Sequence, residues 1–168
     1  DKLLISFHGM QKRRIVEKGD DYYRHCYETF RLIVDRLEHL QPEQAVMTFQ
    51  SRFGSEEWIT PYTDDVVEEL IAEGKKELVV YAPSFVVDCL ETTDELGHEL
   101  VNDAKEWGGN IYPVDCLNMN EQWCKDFFMA FSLSPKRYFV TGVRFPYTYQ
   151  GVRLGHLHLT LSTAQAYD

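Results

Sequence analysis

Short apolar runs alternate along this chain with longer stretches of helical spacing. Leu3–Phe7 is a compact apolar run ending at Gly9, and it predicts a buried strand. From Asp20 to His39, apolar or aromatic residues recur at positions 23, 26, 27, 30, 33, 34 and 37, the spacing of one helix face. Ala45–Phe49 predicts a second strand, closed by Gln50-Ser51-Arg52. Thr63 reads as the N-cap of a helix carrying Val66, Val67, Leu70 and Ile71, with Gly74 as its stop. Leu78–Ala82 predicts a third strand. Asp88 to Trp107 predicts the next helix, ended by Gly108-Gly109, and Ile111–Val114 and Glu121–Phe131 predict a last strand and a last helix.

This rhythm predicts βαβ units: an α/β three-layer αβα domain of the Rossmann or flavodoxin type, with a parallel sheet of about four strands covered on both faces. Ligands of such sheets bind beyond the carboxyl ends of the strands, which directs attention to His8, to residues 50–58 and to residues 83–91. The carboxyl-terminal tail has a different pattern. Val152 and Leu154 alternate in one phase and Leu157, Leu159 and Leu161 in the other. The slip at Gly155-His156 predicts a β-bulge in a hairpin or edge ribbon.

Composition narrows the classes. With 168 residues, 44% hydrophobic and 26% charged, the chain matches an ordinary globular domain rather than a disordered or fibrous one. Seventeen Lys and Arg against 27 Asp and Glu give a net charge of −10, which argues against nucleic acid as the main partner. Four basic residues and one acid follow Pro135, so residues 135–168 carry +3 and residues 1–134 carry −13. That shift predicts a boundary between a lobe over 1–134 and a basic, aromatic tail over 135–168. No run reaches membrane-span length, and no secretion signal is visible. The four cysteines, at 26, 89, 116 and 124, fit no zinc or iron–sulfur spacing, and free thiols in a cytoplasmic protein are expected.

Several residues carry possible chemistry. His8, at a strand's carboxyl end, is either a proton acceptor or metal ligand, or a histidine that merely caps the strand. Asp88, Glu91, Glu95 and Glu99 are spaced by three, four and four residues, which on an α-helix aligns four carboxylates. That stripe is either a solvated acidic face or a site for a hard or borderline cation. Arg52 and Trp58 suit a planar anionic ligand, although a tryptophan capping the core has the same signature. His156 and His158, two apart on one strand, form a weak metal pair with no third ligand nearby.

Ser6-Phe7-His8-Gly9, Gly19-Asp20-Asp21-Tyr22, Thr48-Phe49-Gln50-Ser51-Arg52-Phe53-Gly54, Glu57-Trp58, Pro61-Tyr62-Thr63-Asp64 and Asp88-Cys89-Leu90-Glu91-Thr92 occur in this order. Together, across residues 3–131, they resemble the carboxyl-terminal half of ferrochelatase, and Asp-Cys-Leu-Glu looks like the proteobacterial branch. The resemblance implies a chelatase-like lobe that inserts Fe²⁺ into protoporphyrin IX. It implies His8 and Glu91 as catalytic and metal-binding groups, Glu95 and Glu99 along a metal or proton path, and Trp58, Gln50, Ser51 and Arg52 as substrate-binding residues. Fe²⁺ is then a substrate and no tightly bound cofactor is expected. An iron–sulfur cluster is not expected either, since no cysteine follows Cys124. The family builds its porphyrin cleft between two lobes, so a missing amino-terminal lobe, a homodimer or a non-catalytic porphyrin- or metal-binding module are the alternatives. Peripheral membrane contact is a further expectation, the substrate being oily.

Overall fold

The computed structural model describes residues 1–133, 144–149 and 152–158. They fall into two units, residues 1–120 and the described part of 121–168. Four parallel strands form the sheet of the first unit: β1 (Lys2–His8), β2 (Ala45–Gln50), β3 (Glu77–Tyr81) and β4 (Asn110–Pro113), in the order β2-β1-β3-β4. β1 pairs along its length with β2, from Leu3 opposite Ala45 to His8 opposite Gln50, and on its other side with β3. Leu4 to Phe7 are therefore buried on both faces. The connections leave β1 toward β2 on one side and β3 toward β4 on the other, so the carboxyl end between β1 and β3 is the point where strand order reverses.

Helices fill both sides, as predicted for an α/β lobe. On one face α3 (Thr63–Ala72) and α4 (Leu100–Glu106) pack Val67, Leu70, Ile71, Leu100 and Ala104 against Leu4, Leu78, Val80 and Ile111. On the other face α1 (Lys12–Val16) and α2 (Tyr22–Val34) bring Ile15, Cys26, Phe30 and Ile33 onto Ile5, Phe7 and Phe49. This second layer covers β1 and β2 only. Val79 of β3 and Tyr112 of β4 point to the same face and are exposed. At five residues α1 is too short to show a periodic pattern, and it was not expected from sequence.

Three boundaries differ from expectation for visible reasons. α2 stops at Val34 rather than reaching His39, because Arg36 and Leu37 donate to carbonyls three residues back and tighten the chain into turns. Tyr62, not Thr63, is the N-cap of α3. The Thr63 hydroxyl turns into the core toward Ser6 and Thr48. Finally, the helix expected from Asp88 starts at Leu90, and Glu91–Glu99 is a π-helix that runs on into α4. Its hydrogen bonds close on the fifth residue back, as where the Leu100 N–H donates to the Glu95 carbonyl. Gly97 suits the wider turn, since a Cβ there would lie 3.0 Å from the Thr92 carbonyl oxygen. α3 ends at Gly74 and α4 at Gly108-Gly109, as the sequence predicts.

The second unit contains α5 (Glu121–Leu133) and two antiparallel strands, β5 (Arg144–Tyr149) and β6 (Val152–His158). The division between units falls ahead of α5, whereas the charge shift in the sequence falls behind it. The register slips where Tyr147 opposes Gly155 and Thr148 opposes Arg153, so Leu154 is the extra residue, one position ahead of the predicted bulge. His156 and His158 lie on β6 two residues apart. Leu159 and Leu161 lie outside the described residues.

Candidate active site

β1 delivers His8 to the sheet's carboxyl edge, and Gly9 turns the chain away at once. The Gly9 N–H donates to the Gln50 carbonyl at 2.7 Å. A Cβ on Gly9 would lie 2.8 Å from that oxygen and 3.0 Å from the Trp58 ring, so only glycine allows this close approach. The His8 ring is partly buried. Its Nδ1 lies 2.7 Å from the Gly9 carbonyl oxygen. A carbonyl only accepts, so Nδ1 carries the proton in this contact. Trp58 and Phe85 flank the imidazole with ring centroids at 6.5 and 6.1 Å. Trp58 is fixed because residues 57–59 pair with residues 10–12, Ile59 donating to Met10 and Lys12 to Glu57, while its indole N–H donates to the Phe53 carbonyl at 2.9 Å. The Tyr22 hydroxyl, from the first turn of α2, donates to the His8 carbonyl at 2.8 Å. Burial pushes this phenol up to about 12.

β2 ends in a polar cluster. Gln50, only 5% exposed, accepts from the Ser6 hydroxyl at 2.7 Å, and its Nε2 donates to the Glu91 carbonyl at 3.0 Å and to Glu95 Oε2 at 3.2 Å. Ser51, in left-handed backbone with φ 62°, donates its N–H and its hydroxyl to the two Glu95 oxygens, both at 2.6 Å. Behind Ser6 the hydroxyls of Thr63 and Thr48 continue the chain at 2.8 and 3.0 Å. These buried hydroxyls, on β1, β2 and the start of α3, need partners, and they satisfy one another. Glu95 thus receives three hydrogen bonds that tie the π-helix to the end of β2.

Glu91 is placed differently. It stands in the first turn of the helix, partly exposed. Its own backbone N–H and the Cys89 side chain hold its carboxyl below the ordinary range, with a smaller pull from His8, while slight burial acts the other way. Gln50 links the two neighbourhoods, its backbone carbonyl holding the turn after His8 and its side chain holding the Glu91 carbonyl. The turn before the helix is locked locally: Thr92 Oγ1 accepts the Cys89 N–H at 3.0 Å, and the Thr93 hydroxyl donates to the Cys89 carbonyl at 2.8 Å. Asp88 leaves the expected stripe. It precedes the helix, and Asn118 holds both its N–H and its carboxylate. Cys116 shares the neighbourhood of Cys89 and Thr92, and burial pushes its thiol up.

Gln50 and Ser51 also line a cleft of about 230 Å³ with Arg52, Asp64, Glu95 and Glu99. The Arg52 guanidinium pairs with Asp64 at 2.6 Å and lies 4.2 Å over the Tyr62 ring. Of the three residues expected from sequence to bind substrate here, all have polar groups engaged by protein partners: Gln50 by Glu91 and Glu95, Ser51 by Glu95, Arg52 by Asp64. Trp58, the fourth residue expected to bind substrate, lies beside His8. Glu99 is exposed at the cleft. Among the described residues, no three His, Cys, Asp or Glu side chains converge to hold a metal ion. His8, Glu91, Glu95 and Glu99 therefore lie along one end of the lobe without forming a closed ligand shell. Phe85, Phe53 and Tyr22 were not singled out from sequence. Only exposure and contact distances, which a sequence does not carry, mark them: Phe53 is 84% exposed beside the site.

The fold and this edge define a chelatase-type α/β lobe, with an imidazole and a carboxylate at the strand-order reversal. The family model for ferrochelatase matches residues 1–129, and the chain belongs to the ferrochelatase family. A ferrochelatase of Brucella ovis is 47% identical over 124 residues, covering 73% of this chain and 35% of that protein. One of Methylocella silvestris is 48% identical over 117 residues, covering 69% of this chain and 33% of that protein. The chain thus spans about a third of the length of the curated relatives it matches.

Proposed function

We propose that this chain is the catalytic lobe of a ferrochelatase, which inserts Fe²⁺ into protoporphyrin IX in haem synthesis. The observation that carries this reading is the His8 imidazole, its Nδ1 against the Gly9 carbonyl, on the same sheet edge as Glu91, the two neighbourhoods tied together by Gln50. Insertion releases two pyrrole protons as four nitrogens bind the metal. A neutral imidazole accepts a proton near pH 7. Glu91, ionised at that pH, accepts the second proton or holds the cation as it sheds water. Trp58 and Phe85 flank His8 with aromatic rings, and the loops after β2 and β3 expose Phe53 and Leu90, apolar surface that suits a macrocycle. Glu99 at the cleft meets the incoming hydrated cation, while Glu95 keeps the helix in place. Fe²⁺ enters as substrate, with no resident cofactor and no iron–sulfur cluster required. The four free cysteines support a cytoplasmic location.

The test is anaerobic insertion of Fe²⁺ into protoporphyrin, with Zn²⁺ as a fluorescent surrogate, by this chain and by His8→Ala. The variant is expected to lose about 10²–10⁴-fold in rate with porphyrin affinity nearly unchanged. An equal loss of binding removes the catalytic role from His8. A second reading, a non-catalytic porphyrin-binding module or a lobe dependent on a partner, is favoured by the one-third coverage of the relatives. It predicts binding without turnover.

A further inference from the structure

We infer that Gln50 is a positioning residue that sets the Glu91 carboxylate relative to His8, rather than a residue that meets substrate. Its role in turnover rests on the ferrochelatase reading; its role in placing the helix does not. Gln50 touches both halves of the site. Its backbone carbonyl takes the Gly9 N–H at 2.7 Å and so fixes the turn immediately after His8. Its side-chain Nε2 reaches the backbone carbonyl of Glu91 itself at 3.0 Å. The amide has no freedom to turn over. Nε2 faces two acceptors, the Glu91 carbonyl and Glu95 Oε2, while Oε1 receives the Ser6 hydroxyl. A reversed amide would set oxygen against oxygen at both acceptors. At 5% exposure it is largely shielded from solvent. A residue needed only to fill the end of β2 would be apolar; a buried amide with every partner aligned is a spacer of fixed length between a strand end and a helix start.

The test uses Gln50→Met, which keeps the shape and removes the hydrogen bonds, and Gln50→Glu, which keeps the acceptor for Ser6. Any single proton on the latter serves Glu95 or the Glu91 carbonyl but not both. Amide hydrogen exchange, urea unfolding and Zn²⁺ insertion into protoporphyrin are measured for each. Both variants are expected to speed exchange at residues 92–97 while β1 and α3 keep their protection. Insertion is expected to fall about 10–100-fold in kcat with KM for porphyrin unchanged, the usual range when a partner behind a functional group is lost. Exchange unchanged at residues 92–97, or accelerated equally everywhere, overturns the inference, as does a loss confined to KM. If the unaltered chain inserts no metal, the functional reading falls and the exchange pattern alone decides the positioning role. Should Gln50→Met fail to fold, Gln50→Glu carries the same comparison.

Discussion

Two loops frame His8, and they are built on opposite principles. The loop after β2 is saturated in its polar groups, although Phe53 is 84% exposed: Ser51 gives both its donors to Glu95, Arg52 is paired with Asp64, and the Phe53 carbonyl takes the Trp58 indole. The loop after β3 is apolar and open, with Val87 58% and Leu90 70% exposed, and it is held through Asn118, whose side-chain oxygen accepts the Asp88 N–H and whose own N–H donates to the Val86 carbonyl. Hydrogen bonds fix geometry, whereas exposed apolar surface gains free energy only when something displaces its water. The β2 side is thus an anchor for the helix, and the β3 side is a contact surface for a flat, oily ligand.

This contrast can be broken from either side. Glu95→Ala removes the acceptor of three hydrogen bonds and is expected to lower unfolding stability by about 3 kcal/mol, read as a lower urea midpoint with an unchanged slope. Leu90→Ser works on the opposite loop. It is expected to weaken porphyrin binding about tenfold, or 1.4 kcal/mol, in a fluorescence titration, with little change in the urea midpoint. A drop in stability there, or none for Glu95→Ala, would erase the distinction. Tyr22→Phe removes the hydroxyl under His8 and is expected to cost about 1 kcal/mol. It also changes the alkaline limb. The folded phenol titrates at about 12 against an ordinary 10.0, so the neutral hydroxyl stabilises the fold fully below pH 10 and ceases to as pH rises through 12. Unfolding followed over that window should show a fall that the phenylalanine variant lacks. Arg52→Ala sharpens the comparison at its small end. An exposed ion pair and a cation–ring contact contribute only about 0.5–1 kcal/mol, so thermal unfolding should barely move and should move less in high salt.

Much of the lobe is legible in the chain because parallel strands buried on both faces leave short apolar runs, and Leu3–Phe7, Ala45–Phe49 and Leu78–Ala82 are such runs. His8 was legible because a titratable residue at the end of one of them has few places to go. The burial of Gln50 was not legible in this way. A glutamine closing an apolar run carries no sign of being covered, yet the helix folds back over it and buries it, and only the tertiary arrangement reveals that. Asp88 was grouped with Glu91 by spacing, because the start of a helix shows in sequence only when a capping side chain marks it. Here the mark is Thr92 reaching back to the Cys89 N–H, which resembles any other threonine in a helix. The π-turns were also hidden. Four-residue spacing slightly exceeds one α-turn and falls short of one π-turn, so Glu91, Glu95 and Glu99 stay roughly aligned in either.

The π segment has a mechanical consequence. Its downstream end is locked, since Leu100 and Ala104 are buried in the core against the sheet, while its upstream end carries Glu91. Between these ends the helix works as a dial whose setting is counted in residues. Removing one residue from a turn that closes on the fifth residue leaves one that closes on the fourth, so the segment would tighten to α-helical winding with its ends kept in register. Removing a further residue would swing everything before it by about 100° around the axis, carrying Glu91 with it while the core behind stayed packed. The length of this helix is therefore a site parameter in its own right, beside the identity of the histidine at the end of β1.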